Sequence, residues 1–160
     1  MGRISIGLIS DTHDLVRPEA KRALHSVERI LHAGDICSPE VLTELAAIAP
    51  VTAVRGNNDR GAWAEAIPLI QKVTIGTVAI LVIHNIDELE LDPAAAGYDL
   101  VVYGHSHRPL VERRGDVLFV NPGSAGPRRF TLPVSVGIVE ITNGIIDAKL
   151  HVLDQTHGRA

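Results

Sequence analysis

Runs of apolar residues and segments of helical periodicity follow one another along the first half of the chain. The run RISIGLIS (3–10) is apolar on both faces, which is typical of a strand buried inside a sheet. Two further strands are predicted at ERILHAGD (28–35) and PVTAVRGN (50–57). Helices with a proline in the first turn are predicted at RPEAKRALHSV (17–27) and at SPEVLTELAAIA (38–49), where Ser38 is the expected N-cap. This order predicts parallel strands joined by right-handed crossovers.

The second half is richer in strand patterns. They cover QKVTI (71–75), TVAILVIHN (77–85), DLVVYGH (99–105), DVLFVNPG (116–123), VSVGIVEIT (134–142) and IIDAKLHVLD (145–154). Ile75-Gly76 and Asn143-Gly144 indicate hairpin turns, and LDPAAAGYD (91–99) predicts a short helix at most. Two packed sheets flanked by helices, an α/β (α+β) fold, would accommodate these elements. Because no linker or repeat divides the chain, we expect one domain over residues 1–160 with a frayed tail over 155–160.

Composition narrows the function classes. The chain has 160 residues, 46% of them apolar and 21% charged, which is typical of a globular protein. Its net charge of −4, without a Lys/Arg-rich block, gives no clear nucleic-acid surface, and the pairs Arg113-Arg114 and Arg128-Arg129 are expected to be solvated. No apolar run is long enough for a membrane helix, and MGRISIGLIS predicts a buried strand rather than a secretion signal. A single cysteine, Cys37, favours a reducing compartment, so we expect a cytoplasmic protein.

Polar side chains collect where five of the predicted strands end. They are Asp11 and His13, then Asp35, Asn57, His84, and finally His105 and His107. Because ligands bind outside the carboxyl ends of strands in α/β sheets, we expect these seven residues to meet in one site. Gly34, Gly56 and Gly104 each precede such a cluster and would allow the backbone to approach closely.

Carboxylate, amide and imidazole ligands without a thiolate suit Mn, Fe, Co, Ni or Zn. Seven such ligands suit two ions that share a carboxylate, and Asp35, on the central strand, is the natural bridge. Two divalent ions, two aspartates and one bridging hydroxide leave a charge of about +1, which suits a phosphate ester. Paired ions also lower the pKa of the shared water and align the attacking and leaving oxygens. The pattern therefore predicts hydrolysis of a phosphoester.

The motifs DTH, GD, GNND, the isolated His84 and GHSH stand in an order that resembles the calcineurin-like metallophosphoesterases. The chain resembles the small prokaryotic phosphodiesterase branch, the YfcE-type proteins, in its short length and in the stretches VRGNND and NPGSAGPRRF. The resemblance implies a four-layer αββα sandwich of two mixed β-sheets and a phosphodiesterase with a metal-bridging hydroxide. It implies two divalent transition-metal ions per chain, with Mn expected first and Ni, Fe, Co or Zn as alternatives.

By the same resemblance, each ion has its own ligand set. The first ion would be held by Asp11, His13, Asp35 and His107, and the second by Asp35, Asn57, His84 and His105. Asp35, His105 and Asn58 are the residues expected to serve catalysis.

Two positions depart from the family pattern. Many members carry histidine after the metal-binding asparagine, where it is thought to protonate the leaving group, but this chain has Asn58. An amide cannot act as a general acid near neutral pH, so Asn58 is expected to orient a phosphate oxygen instead. The second departure replaces the family's HG by His84-Asn85 and alters the local loop.

The remaining candidate residues favour structural roles. The histidines outside the motifs, expected in the core or on the surface, are His25, His32, His151 and His157. Asp59 is expected to orient a ligand or its backbone. Cys37 is expected to be a small buried hydrophobe, with a metal-activated thiol as the alternative. Trp63 is expected to pack locally or at a subunit contact, with a lid as the alternative, and NPGS (121–124) to form a structural turn near the site.

Two other functions compete with the enzyme. Retromer-type relatives of the fold act as protein-binding scaffolds, but such scaffolds tend to lose a ligand histidine and this chain keeps all seven ligands. A nuclease would need a basic channel, which a chain of net charge −4 does not offer. The expected partners are a small phosphoester and a second copy of the chain, in a homodimer or homotetramer.

Overall fold

The computed structural model describes residues 2–128 and 131–153. The strands in this part of the chain are β1 (Ile4–Ile9), β2 (Arg29–His32), β3 (Val51–Ala53), β4 (Ile70–Ile75), β5 (Val78–Ile83), β6 (Leu100–Val102), β7 (Leu110–Arg114), β8 (Val117–Asn121), β9 (Ser135–Thr142) and β10 (Ile145–Val152). The α-helices are α1 (Pro18–Ala23), α2 (Pro39–Ala46) and α3 (Ala62–Glu65). The expected frayed tail lies outside the described residues.

The strands form two mixed sheets of five. The first has the order β10-β9-β1-β2-β3, and its β1, β2 and β3 are parallel, as predicted. The second has the order β4-β5-β6-β8-β7, with β5, β6 and β8 parallel and both edge strands antiparallel. The parallel strands of each sheet therefore present their carboxyl ends together at one edge.

Apolar side chains fill the space between the sheets and the outer face of the first sheet. Leu8 of β1 and Val82 of β5 belong to the inner cluster, whereas Ile9 packs outward with Leu24 and Leu45 near α1 and α2. Each fully buried Leu or Ile side chain contributes about 1.5–3 kcal/mol. Because β1 and β2 are covered on both faces, they carry continuous apolar runs instead of alternating ones.

No α-helix of the described residues covers the outer face of the second sheet. Phe119 and its neighbours pack under Tyr98 and the 3₁₀-helix Ile86–Glu88. Residues 93–97 form a single turn that ends at Gly97, whose φ of 88° lies in the left-handed region. The two mixed β-sheets of the expected αββα sandwich are confirmed, but its fourth layer is a 3₁₀-helix and a turn rather than an α-helix.

Four local details extend or correct the sequence-based picture. The hairpin at Asn143-Gly144 is confirmed, since both residues have positive φ as a type I′ turn requires. Strand β7 was not predicted because all five of its residues are exposed and show no burial period. The short helix α3 was also not predicted. Ser38 occupies the N-cap position of α2, but its side chain makes no capping hydrogen bond.

None of the helices in the described residues has the length and apolarity that crossing a membrane requires.

Candidate metal centre

The seven predicted ligands meet at the edge where the parallel strands of both sheets end. Nε2 of His84 lies 3.0 Å from Oδ1 of Asn57 and 3.3 Å from Nδ1 of His105. Nε2 of His107 lies 3.5 Å from Oδ1 of Asp11. The site therefore joins side chains from the ends of β1 and β3 in one sheet and of β5 and β6 in the other.

Asp35, after β2, lies between the two halves of this cluster. Its Oδ1 is 3.4 Å from Nε2 of His84, and its Oδ2 is 3.6 Å from Nε2 of His13. One carboxylate thus faces two different histidines through its two oxygens, as a bridging ligand would. Among the described residues, two groups have ligand atoms close enough to hold a metal ion: Asp11, His13 and His107, and Asp11, Asp35 and His84.

The ligand loops adopt backbone conformations that non-glycine residues rarely take. Five of the predicted ligands have φ between 45° and 72°: Asp11, His13, Asp35, His105 and His107. Each left-handed non-glycine residue costs roughly 1–2 kcal/mol. The surrounding contacts must therefore offset this strain, and such strain is typical of functional sites.

Backbone hydrogen bonds hold the first two ligand loops together. The N–H of Asp11 donates to the carbonyl of Gly34, and the N–H of His13 donates to the carbonyl of Asp35 at 3.0 Å. A Cβ on Gly34 would overlap the ring of His84, and one on Gly104 would overlap Ser10 and Asp11. The expectation that these glycines allow close approach is confirmed.

His84 has a fixed tautomer. Its Nδ1 lies 2.7 Å from the carbonyl oxygen of Ala33 and must donate the hydrogen bond there, which leaves Nε2 for the centre of the cluster. Burial lowers the pKa of His84, but the carboxylates of Asp35 and Asp11 outweigh this effect and raise it above its ordinary value.

The two aspartates of the site have opposite shifts. Burial raises the pKa of Asp11 to about 6, although the charge of His84 opposes this shift. Burial also acts to raise the pKa of Asp35, but hydrogen bonds from His84 and Asn58 outweigh it and hold that pKa below its ordinary value. Oδ1 of Asp11 is buried and accepts no hydrogen bond from the described residues, although it faces two imidazoles. A buried carboxylate oxygen among imidazole nitrogens suits a divalent transition-metal ion.

Asp59 orients the loops as predicted. The side chain is buried, and Oδ2 accepts hydrogen bonds from the backbone N–H of Asp35 at 3.0 Å and of Gly56 at 2.8 Å. Oδ1 accepts another from the N–H of Cys37 at 2.7 Å. One carboxylate therefore links the loops that follow β2 and β3.

Asn58 lies at the exposed rim of the cluster. Its Nδ2 donates to Oδ2 of Asp35 at 2.8 Å, and its backbone N–H donates to Oδ1 at 2.9 Å. The residue that replaces the family's histidine therefore contacts the proposed bridging carboxylate directly.

Histidines outside the motifs are structural, where they are described. His25 and His151 are exposed and His32 is fully buried, as expected, while His157 lies outside the described residues. Nδ1 of His32 accepts from the N–H of Gly34, so Nε2 carries the proton and donates to Oγ1 of Thr12 at 3.1 Å. Burial lowers the pKa of His32 to about 3, so the ring is neutral in the folded protein.

Cys37 and Trp63 are both partly buried and contact neighbouring side chains. Cys37 is half-buried rather than buried, and its Sγ lies 3.6 Å from Nδ1 of His13. Burial, with nearby carboxylates, raises the pKa of this thiol to about 11, so it is protonated at neutral pH. Trp63 is partly buried against the cluster beneath α1 and α2, as the expected local packing requires.

Two residues of the site escaped the sequence-based prediction of ligands. Ser10 is fully buried and donates to Oδ2 of Asp11 at 2.8 Å. Asn121 is also fully buried and donates to the carbonyl of Gly104, just before His105. The signal for Asn121 was its position at the end of an apolar strand, close to the positions that the predicted ligands occupy on their strands.

The fold and the clustered carboxylates and imidazoles define a metallophosphoesterase. The family model described as the calcineurin-like phosphoesterase superfamily domain matches residues 4–144. The chain belongs to this superfamily.

Curated relatives of the chain are metallophosphoesterases and phosphodiesterases. A probable metallophosphoesterase of Methanothermobacter thermautotrophicus is 38% identical over 157 residues, covering 91% of this chain and 90% of the relative. A phosphodiesterase of Methanocaldococcus jannaschii is 31% identical over 156 residues, covering 86% of this chain and 93% of the relative. The phosphodiesterase YfcE of Escherichia coli is 40% identical over 48 residues, covering 30% of this chain and 26% of the relative. The resemblance to the small prokaryotic branch is confirmed.

Solved structures share the fold. A novel archaeal phosphodiesterase superposes with a TM-score of 0.77 at 29% identity, covering 94% of this chain and 100% of that one. Vacuolar protein sorting 29 of Cryptosporidium parvum superposes with a TM-score of 0.75 at 21% identity, covering 93% of this chain and 97% of that one. The second similarity concerns the fold alone.

Proposed function

We propose that this protein is a dinuclear metal-dependent phosphodiesterase that acts on a small phosphoester. The observation that carries the proposal is the position of Asp35, whose two carboxylate oxygens face different histidines, Oδ1 facing His84 and Oδ2 facing His13. The similarity of this chain to archaeal and bacterial phosphodiesterases supports a phosphodiester as the substrate.

Each proposed ion has its own set of ligands. Asp11, His13, Asp35 and His107 would hold one ion, and Asp35, Asn57, His84 and His105 would hold the other. Mn²⁺ is proposed first because the family resemblance implies it, and Ni, Fe, Co and Zn remain alternatives that the same oxygen and imidazole ligands suit. Two bound ions would supply an attacking water of lowered pKa and positive charge for the phosphoryl oxygens.

The chain's own residues would position the substrate. His105 and Asn58 are both exposed at the rim, as Asn57 is, so a phosphate group can reach them from solvent. Each can donate a hydrogen bond to a phosphoryl oxygen. Asn58 also contacts Asp35, which would link phosphate binding to the bridging carboxylate.

Retention of all seven ligand residues in one connected cluster supports catalysis over the scaffold alternative. Assembly as a homodimer or homotetramer is proposed through the edge that β7 and β10 share. There Leu110 and Val111 of β7 and Val152 of β10 are exposed apolar residues on adjacent edge strands. The single cysteine supports a cytoplasmic location.

The test is hydrolysis of bis-p-nitrophenyl phosphate and p-nitrophenyl phosphate, together with elemental analysis. A chelator should abolish diesterase activity, Mn²⁺ should restore it, and the loaded protein should contain two ions per chain. Asp35→Ala and His105→Ala should each lower kcat by at least about 100-fold, because a lost ligand disturbs an ion and its water. The matched control, His25→Ala, removes an exposed histidine outside the site and should leave kcat unchanged. Activity that survives both chelation and the Asp35 substitution would refute the proposal.

A further inference from the structure

The segment of residues 121–125, which begins with the last residue of β8, contacts two of the ligand-bearing loops. Asn121, its first residue, is fully buried. Its Nδ2 donates to the carbonyl of Gly104 at 3.1 Å and to Oγ of Ser106 at 3.2 Å, while its Oδ1 accepts from the N–H of Gly123 at 2.9 Å. Both donor hydrogens and the acceptor of this amide are therefore used.

These bonds fix the two residues that flank His105. Ser106 in turn separates His105 from His107, and its Oγ accepts a second hydrogen bond from the N–H of Arg108 at 3.2 Å. The φ angles of His105 and His107 are 72° and 65°, conformations that relax unless other contacts maintain them. Asn121 supplies such contacts from outside the loop.

The same segment also contacts the loop after β1. Oγ of Ser124 donates to the carbonyl of Asp11 at 3.0 Å, and the N–H of Ala125 donates to the carbonyl of Ser10 at 3.0 Å. Because β8 and β1 belong to different sheets, the segment aligns a ligand loop of one sheet with a ligand loop of the other.

We infer that Asn121 is a positioning residue that holds His105 and His107 in the geometry required for metal binding. The inference rests on the proposed function, since these histidines are ligands only if the metal centre forms. By the proposed assignment His107 contacts one ion and His105 the other, so Asn121 influences the affinity of both.

The amide is chemically required at this position. An aspartate there would keep an acceptor for the N–H of Gly123. Its second oxygen, however, would face the carbonyl of Gly104 without a proton to donate, and a buried acceptor pair without a donor is unfavourable. Asn121→Asp therefore changes the two contacts to the histidine loop and retains the contact within its own segment.

The matched control is Ser135→Ala. Oγ of Ser135 is buried and donates to the carbonyl of Pro122 at 2.6 Å, so this variant also removes a buried hydrogen bond next to the segment. That contact does not involve residues 104–107. A difference between the two variants therefore reports on the histidine loop rather than on general loss of stability.

Two measurements test the inference. Mn²⁺ titration followed by electron paramagnetic resonance should show about 10–100-fold weaker binding in Asn121→Asp, because outer partners of metal ligands have effects of this size. The control should keep the natural affinity. In the metal-free protein, the amides of His105, Ser106 and Arg108 should exchange with solvent faster in Asn121→Asp and at the natural rate in Ser135→Ala.

Ser106→Ala is the second variant, because Ser106 is exposed and its substitution should not prevent folding. It removes one acceptor of Asn121, so the Arg108 amide should exchange faster and Mn²⁺ binding should weaken by less than in Asn121→Asp. If Asn121→Asp does not fold, the exchange rates and Mn²⁺ affinity of Ser106→Ala test the inference instead. Natural exchange rates and Mn²⁺ affinity in the folded variants would overturn the inference. If the natural protein binds no Mn²⁺, the proposed function and the inferred role of Asn121 in metal binding both fail, even where Asn121→Asp exchanges faster.

Discussion

Oδ2 of Asp59 accepts a hydrogen bond from the backbone N–H of Asp35 at 3.0 Å. Asp59 follows β3 and Asp35 follows β2, so this bond joins two neighbouring strand ends. The same carboxylate accepts from the N–H groups of Gly56 and Cys37. The proposed bridging ligand is thus oriented through its own backbone by a second buried acid.

We predict that Asp59→Asn weakens the metal centre. Asparagine has one side-chain oxygen for three backbone donors, so at least one N–H loses its partner. Mn²⁺ affinity should fall about 10–100-fold and the free energy of unfolding by about 1–3 kcal/mol. Isothermal titration with Mn²⁺ and urea unfolding measure these effects. Asp87→Asn, at an exposed site, is the control, and equal Mn²⁺ affinity in both variants would exclude the orienting role.

Gly104→Ala should also disrupt the site. The added methyl group would overlap Oγ of Ser10 and approach Oδ2 of Asp11, so the loop that carries His105 has to move. We expect loss of most Mn²⁺ binding and of diesterase activity, and destabilisation by about 1–3 kcal/mol. Gly137→Ala is the matched control, because its methyl group would meet Leu8 only at ordinary contact distance. Similar Mn²⁺ binding in the two variants would contradict the steric explanation.

His32 should make folding stability depend on pH. Burial, with the charge of His84, lowers its pKa to about 3, against 6.5 in the unfolded chain, while Asp35 opposes this shift. Between these values the unfolded state binds more protons, so the stability that a neutral His32 contributes is complete above pH 6.5 and is lost as the pH falls. From pH 7 to pH 5 the loss should be about 2 kcal/mol.

The measurement is urea unfolding of the metal-free protein at several pH values, in the natural protein and in His32→Gln. The variant should be destabilised at pH 7 and should lose less stability on acidification. His25→Gln, an exposed histidine, should follow the natural curve. Parallel curves for His32→Gln and the natural protein would show that the ring is not held neutral.

Asn58 should limit the enzyme to good leaving groups. An amide cannot donate a full proton, and general acid catalysis is typically worth ~10²–10⁴-fold. Aryl diesters, whose phenolates leave as stable anions, should therefore react far faster than alkyl diesters. Asn58→His should rescue the alkyl diesters selectively.

The leaving-group series is measured as kcat for aryl and alkyl methylphosphates in both proteins. Mn²⁺ content is measured in parallel, so that a change in metal loading is not mistaken for acid catalysis. A rate independent of leaving-group pKa in the natural protein would mean that another group already supplies the proton.

That the seven candidate ligands meet at one edge could be predicted from the sequence alone because of a topological rule. Asp11, Asp35 and His84 each follow an apolar run, and the carboxyl ends of parallel strands converge whatever the details of packing. The same runs predicted the parallel core strands, since burial on both faces leaves a readable apolar pattern. Strand β7 escaped prediction because its side chains are all exposed and its pairing with β8 is made by the backbone.

What only the tertiary structure decided is the set of contacts between strand ends. Periodicity places Asn121 after a strand, but it cannot show that this amide contacts the histidine loop of a neighbouring strand. Nor can it show that Oδ1 and Oδ2 of Asp35 face different histidines, because those directions depend on left-handed loop residues and on how the two sheets stack. The sequence by itself determined which chemical groups are available and at which strand ends, since local patterns encode burial. The tertiary structure decided their mutual geometry, since it arises from contacts between residues far apart in the chain.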